Sequence, residues 1–144
     1  MLTDILRAIG NAKIPGLVPR GLAETGTTHL ITETGSVPVT FSEASIGLKV
    51  SFRATLASAF PEVRRYVELA AQDYGFDVER SNDSLWVSAE VQRRSRVVDE
   101  IRELCRLALQ IIDGANWLIA DQPARTVWAA LAHTAEYSEK GDLE

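Results

Sequence analysis

The chain has 144 residues, of which 46% are hydrophobic, and its 15 basic and 20 acidic residues give a net charge of −5. This length is enough for one domain with a substantial core but leaves no room for two. The acidic balance disfavours nonspecific binding to nucleic acid or to anionic membranes. A single cysteine cannot form an internal disulfide, and no signal-peptide pattern or membrane-length apolar run is found, so we expect a cytoplasmic protein.

The N-terminal part of the sequence predicts a short amphipathic helix over residues 2–9, which Gly10 and Asn11 end. Residues 13–28 are rich in proline and glycine and predict a loop. Within it, LVPRG at residues 17–21 matches an engineered protease-cleavage linker. We favour a native segment, because no affinity tag precedes it. The alternative is an engineered linker, in which case residues 1–16 are a foreign piece.

The next part predicts three antiparallel strands. HLITETGSVPVTF indicates two strands that join across Gly35 and Ser36, and GLKVSFRATL indicates a third. Alternate residues of the third strand are apolar, which is typical of a sheet with one face on the core and one toward solvent. The predicted inward set is Leu48, Val50, Phe52, Ala54 and Leu56.

A helix and a hairpin follow. FPEVRRYVELAAQDYG has Pro61 in its first turn and Gly75 as its C-terminal stop. Its predicted apolar stripe is Val63, Tyr66, Val67, Ala70 and Tyr74. FDVERSNDSLWVSAEV then predicts a hairpin that turns at residues 82–83. Because Trp86 alternates with inward-facing residues, we expect its indole on the polar face of the sheet.

The last part predicts two helices. SRVVDEIRELCRLALQII has the clearest helical periodicity, with Cys105 in its apolar stripe. An apolar patch containing Trp117 leads into a further amphipathic helix, whose stripe includes Trp128 and Leu131. We therefore divide the chain into an α+β domain over residues 1–120 and a C-terminal amphipathic helix with an acidic tail over residues 121–144. That helix must bury its stripe against the domain or against a second subunit.

The predicted fold class is α+β, an antiparallel sheet packed by helices in the order α-β-β-β-α-β-β-α plus a C-terminal helix. The segments LKVSFRATL, FDVERSNDSLWVSAEV and EIRELCRLALQIIDGANWLI give this order a hydrophobic pattern that resembles the type III secretion chaperone-like fold. Secretion chaperones and YbjN-type domains share that fold, and the resemblance covers residues 2–120. It implies a homodimer that binds an extended segment of a partner protein without chemistry.

Candidate partner-binding residues are Trp86, Trp117, Trp128 and Leu131. For Trp86 two interpretations stay open. In the first, the chain's own C-terminal helix covers the indole. In the second, the indole anchors a subunit or client interface, where tryptophan is enriched. For Trp117 and Trp128, a place in a helical stripe is compatible with a core role as well as with a partner.

The arginines Arg93, Arg94 and Arg96 cluster at a predicted helix start, where cations oppose the helix dipole. They are candidates for contact with an anion or an acidic partner. The alternative function is therefore a nucleic-acid-associated or inhibitor protein that acts through this cluster. Acidic neighbours and the absence of an interleaved aromatic residue favour a solvated turn and disfavour nucleic acid as a partner.

The sequence contains no catalytic motif. His29 and His133 have no nucleophile or acidic partner at a recognisable spacing. A glycine-rich phosphate loop, a paired metal-ligand set and a nucleophile elbow are also missing from the sequence. We expect a noncatalytic protein without cofactor or metal, which holds a partner protein segment or acts as a dimeric adaptor.

Overall fold

A computed structural model describes residues 2–32, 35–45, 47–54, 60–81, 84–92, 96–121, 123, 126–128, 130 and 131. The elements in chain order are α1 (Leu2–Asn11), α2 (Leu22–Thr25), β1 (Thr27–Thr32), β2 (Gly35–Glu43), β3 (Gly47–Ala54), α3 (Pro61–Tyr74), β4 (Asp77–Ser81), β5 (Ser84–Gln92) and α4 (Val97–Ala120). Helical residues follow α4, and we call Pro123, Thr126–Trp128, Ala130 and Leu131 the C-terminal helical segment. The predicted α+β class and order of elements are confirmed.

The five strands form one antiparallel sheet in the order β1-β2-β3-β5-β4. Its register places Phe52 of β3 between Val39 of β2 and Val87 of β5. These three side chains are buried on the face that we call the inner face. The alternation predicted for the third strand is confirmed from Leu48 to Ala54, whereas residue 56 is outside the described residues.

Helices α3 and α4 supply the rest of the same core. Val63, Val67 and Ala71 of α3 are buried, as are Ile101 and seven further residues of α4. The predicted stripe of α3 was wrong at its end, because Tyr74 is 43% exposed and Ala71 is buried in its place. Gly75 ends α3 with φ of 80°, as predicted. Among the helices that the structure describes, none has the length and apolar character that crossing a bilayer requires.

The N-terminal region belongs to the packed structure. Leu6 and Ile9 of α1 are buried, and so is Leu17 within the LVPRG run. The backbone N–H of Val18 donates to the carbonyl of His29 at 3.0 Å, so the run lies beside the edge strand β1. The loop prediction for residues 13–28 was therefore wrong in part, since α2 and the start of β1 also fall inside this range. This packing favours an integral segment over a linker.

The pairing of β1 with β2 tests the first predicted hairpin turn. Gly35 and Ser36 open β2 and pair with Thr32 and Ile31. Gly35 and Ser36 therefore belong to the strand, and the prediction that the strands join across Gly35 and Ser36 was wrong. The physical reason is that the backbone pairing between β1 and β2 includes Gly35 and Ser36, two residues whose types indicated a turn. The second predicted turn, at residues 82–83, is outside the described part of the chain.

Candidate functional site

Helices α3 and α4 approach each other closely at Gly114. A Cβ atom at this position would lie 2.1 Å from Tyr66 Oη and 2.8 Å from Tyr66 Cζ. The ring of Tyr66 can occupy this place only because residue 114 has no side chain. Burial raises the pKa of Tyr66, so the phenol stays neutral at physiological pH. The sequence contained one signal for this contact, a glycine inside a strongly periodic helix.

Trp128 attaches the C-terminal helical segment to α3. Its indole Nε1 donates a hydrogen bond of 2.8 Å to the carbonyl of Glu62. Its ring meets Tyr66 edge to face, with centroids 5.5 Å apart and planes at 87°. Trp128, a predicted partner-binding residue, therefore makes contacts within its own chain.

An open groove lies between α3, the end of α4 and the C-terminal helical segment. Its cavity volume is about 570 Å³. We call it the apolar groove, and its lining residues are Tyr66, Gly114, Trp117, Leu118, Asp121, Pro123, Val127, Trp128 and Leu131. Three of the four predicted partner-binding residues, Trp117, Trp128 and Leu131, thus meet at one place.

The walls of the apolar groove expose large apolar side chains. Trp117 is 58% exposed, and Val127 and Leu131 are each 60% exposed. The neighbouring Leu118 is only 5% exposed, so α4 turns Trp117 away from the core. Val127 and Leu131 are four residues apart and share one helix face. A contiguous apolar surface of this kind marks an interaction site more often than an isolated exposed residue does.

Among the described residues, one acidic side chain lines the apolar groove. Asp121 caps the C-terminal end of α4 and lines the groove. The last turn of α4 has no basic residue to offset the negative end of the helix dipole. Residues 113–144 contain six acidic residues, against the two basic residues Arg125 and Lys140.

Trp86 lies on the opposite side of the sheet, as predicted. In the register it stands between Arg53 of β3 and Glu79 of β4. The Arg53 guanidinium lies over the indole, 6.0 Å from the ring centroid, and its Nε and Nη2 donate to Ser84 Oγ at 2.9 and 2.7 Å. Trp128 and its neighbours lie on α3, beyond the inner face. The described contacts of Trp128 in the C-terminal helical segment are with Glu62 and Tyr66 of α3, and residues 132–144 are outside the described residues, so the two interpretations of Trp86 stay open.

Polar side chains around Trp86 bind one another. Lys49 Nζ donates to Glu79 Oε1 at 2.7 Å, and Ser88 Oγ donates to the same oxygen at 3.3 Å. The hydrogen bond from Lys49 is the main cause that lowers the pKa of Glu79, and Glu79 raises the pKa of Lys49 in return. The depression beside Trp86, which Thr40 and Ser51 also line, is consequently a polar surface with internal partners.

Of the predicted arginine cluster, the described residues include Arg96 alone. Arg93 and Arg94 are outside the described residues. Arg96 is exposed and immediately precedes α4, and its side chain makes no capping hydrogen bond. Contact between the cluster and an anion or acidic partner stays a prediction.

Cys105 and His29 are described residues of types that can take part in catalysis or metal binding. Cys105 is buried, and burial raises the pKa of its thiol to about 12, so the reactive thiolate is scarce at neutral pH. His29 is exposed on β1, and residue 133 is not among those described. Within the described ranges no three His, Cys, Asp or Glu side chains are placed to hold a metal ion.

Comparisons with models of protein families, with curated proteins and with solved structures found no match for this chain. Its function is therefore argued from the apolar groove and the groups around it.

Proposed function

We propose that this protein is a noncatalytic protein-binding domain, chaperone-like in action, that holds an apolar segment of a partner in the apolar groove. The observation that carries this proposal is the exposure of Trp117, Val127 and Leu131 around one concave surface. We place the protein in the cytoplasm, where a single unpaired cysteine is expected.

The exposed side chains supply a useful part of a binding free energy. Burying a large apolar side chain completely contributes about 1.5–3 kcal/mol. Trp117, Val127 and Leu131 each have a little over half of their surface left to cover. Covering all three therefore contributes on the order of 3–5 kcal/mol before the partner's own apolar surface is counted. After the entropy cost of association, this favours a reversible complex.

The chemistry of the groove supports a protein partner over a small substrate. Sites for small molecules combine apolar walls with several placed polar groups that fix orientation. Among the lining residues that the structure describes only Asp121 is charged, and the indole Nε1 of Trp128 already donates to the carbonyl of Glu62. An apolar segment of a protein needs no such set of orienting groups, because its contacts are distributed along the surface.

The order of elements also agrees with the resemblance to the type III secretion chaperone-like fold. Proteins of that fold bind extended segments of partner proteins. The homodimer that the resemblance implies is a second part of this proposal. An isologous dimer requires a self-complementary surface on each copy.

Selection from a peptide-display library tests the function. The full chain is the bait, with Trp117→Ser and Leu131→Ser as groove variants and Trp86→Ser as the matched control on the other side of the sheet. We expect enriched peptides that share spaced apolar residues, with binding weakened about tenfold by each groove variant and unchanged by the control. Failure of any sequence pattern to emerge, or loss of binding in the Trp86→Ser variant alone, would reject the proposal.

A further inference from the structure

We infer that the C-terminal helical segment is a hinged lid of the apolar groove, and that Trp128 is the side chain that holds the lid closed. When the indole of Trp128 leaves α3, the lid opens and admits the partner's segment to the base of the groove. The inference rests on the proposed function for what enters the groove, whereas the opening is a property of the protein alone.

The described residues of the C-terminal helical segment have little contact with the core. Five of the six are exposed, namely Pro123, Thr126, Val127, Ala130 and Leu131. Trp128 is partly buried, and it is the one apolar side chain among the six that packs against the hydrophobic core. A segment with few buried apolar contacts opens at a much lower free energy than the core does. Such a segment can therefore open while the sheet, α3 and α4 stay folded.

Two contacts of Trp128 close the lid, and both are made to α3. The indole Nε1 donates a hydrogen bond of 2.8 Å to the carbonyl of Glu62, and the ring meets Tyr66 edge to face. A hydrogen bond of this kind changes an equilibrium roughly two- to tenfold, and an aromatic pair changes it by a similar factor. Tyr66 itself lies against Gly114 of α4, so the base of the groove is kept when the indole leaves.

The connection between α4 and the C-terminal helical segment has the features of a hinge. Asp121 closes the end of α4 with a hydrogen bond of 3.0 Å from its backbone N–H to the carbonyl of Trp117, but its own backbone is extended, with φ of −117° and ψ of 98°. Pro123 follows two positions later. Proline has no N–H to continue the helical hydrogen bonds of α4 and disfavours a helical conformation in the residue before it. The two helical pieces are therefore separate, and a change of φ and ψ at this connection moves one relative to the other.

A lid at this place would enclose the bound segment. Val127 and Leu131 belong to the lid, line the groove and are each 60% exposed. Tyr66 and Leu118 line the groove from the domain side. A partner segment that enters while the lid is open would lie between these two sets of apolar side chains when it closes. Segments that close over a ligand control its entry and release.

Amide hydrogen exchange of the full-length protein, followed by nuclear magnetic resonance, tests the opening without any ligand. The variant is Trp128→Phe, which keeps an aromatic ring and removes the N–H that the carbonyl of Glu62 accepts. Trp86→Phe is the matched control, because it is the same substitution on the other side of the sheet. We expect the amides of Ala130 and Leu131 to exchange at least about tenfold faster than those of the buried Ile111 and Ile112 of α4.

The variant should act on the lid alone. Trp128→Phe should speed the exchange of Ala130 and Leu131 roughly two- to tenfold further and leave Ile111 and Ile112 unchanged. Trp86→Phe should leave all four amides unchanged. Stopped-flow binding of a peptide selected on the protein then tests the entry of the partner. Its association rate constant should rise roughly two- to tenfold in Trp128→Phe and stay unchanged in Trp86→Phe, because entry requires the open lid.

Other outcomes overturn the inference and separate it from the proposed function. Exchange of Ala130 and Leu131 as slow as that of Ile111 would make the segment part of the core, whatever peptides the protein selects. Faster exchange throughout α4 in Trp128→Phe would show that the indole stabilises the whole domain. An unchanged association rate constant in Trp128→Phe would leave a rigid groove that still binds its partner, so that the lid falls and the proposed function stands. Exchange that depends on Trp128, in a protein that selects no peptide, would keep the opening and reject the proposed function.

Discussion

Replacing Gly114 with alanine should destabilise the protein, although alanine is the better helix former. In the interior of a helix, alanine is favoured over glycine by about 1 kcal/mol. The new Cβ, however, would lie 2.1 Å from Tyr66 Oη and 2.8 Å from Tyr66 Cζ. Relieving such overpacking costs about 1–3 kcal/mol. The net change expected for Gly114→Ala is therefore a loss of up to about 2 kcal/mol in the free energy of unfolding.

The sign of the change should reverse when Tyr66 is removed. In a Tyr66→Ala background the clash is gone, and Gly114→Ala should stabilise by about 1 kcal/mol. Urea denaturation of the four proteins, followed by far-ultraviolet circular dichroism, gives the coupling free energy, which should be about 1–3 kcal/mol. Gly10→Ala is the matched control, because its Cβ would meet Pro19 Cβ at an ordinary 3.6 Å.

Stabilisation by Gly114→Ala in the otherwise unchanged protein would refute this reasoning. It would mean that Tyr66 does not lie against α4 as described, and that the base of the apolar groove has a different arrangement. Gly10→Ala should leave stability unchanged or raise it, whichever way Gly114→Ala behaves.

Three further predictions concern the sheet and the core. Gly47→Ala should cost about 3 kcal/mol in urea denaturation, because its Cβ would lie 2.0 Å from the carbonyl oxygen of Val91, a backbone atom. Glu79→Gln should lower stability more at neutral pH than near pH ~3. The hydrogen bond from Lys49 depresses the pKa of Glu79 below its ordinary value of 4.5, so the stabilisation is present above that value and is lost as the pH falls through the folded pKa. The loss of unfolding free energy at neutral pH should exceed the loss at acidic pH by less than about 1 kcal/mol, because the ion pair between Lys49 and Glu79 is exposed. Cys105 should resist an aromatic disulfide reagent in the native protein at about pH 8 and react at once in urea, because burial raises its pKa to about 12.

Each of these predictions has a contrary result. Wild-type stability in the Gly47→Ala variant would show that β3 and β5 do not approach as closely as described. A loss of unfolding free energy in Glu79→Gln that grows as the pH falls would contradict the expected pH dependence. Fast labelling of Cys105 in the native protein would place the thiol at the surface.

The sheet was predictable because its alternation is local. Apolar residues at every second position of β3 indicated which face meets the core. In β5 the same alternation placed Trp86 opposite the buried Leu85 and Val87, but it did not indicate that Ser84 and Ser88 on the Trp86 face are buried too. What the pattern could not predict is the partner of the indole. Arg53 lies 33 positions before Trp86 in the sequence, and only the pairing of β3 with β5 brings them together.

The N-terminal region was poorly predicted for a related reason. Prolines and glycines in residues 13–28 indicate turns correctly, but they do not report long-range packing. Leu17 is buried because the chain turns back beside β1, and that contact depends on Leu30 in the strand. The local pattern therefore predicted a loop where the fold also has a short helix and a segment paired with the edge strand.

The apolar groove was predictable in its residues but not in its form. The sequence indicated Trp117, Trp128 and Leu131 as candidate partner-binding residues. Their arrangement depends on two distant contacts, Tyr66 with Gly114 and Trp128 with the carbonyl of Glu62, and the latter pair is 66 positions apart in sequence. No periodicity within one helix contains that information.

The most direct test of protein binding through the apolar groove is amide chemical-shift mapping of the full chain with a peptide selected on the protein. The account predicts shifts that concentrate around Tyr66 and residues 114–131, with resonances of the sheet face around Trp86 unchanged. Shifts centred on Trp86 and Arg53, with residues 114–131 unaffected, would contradict it.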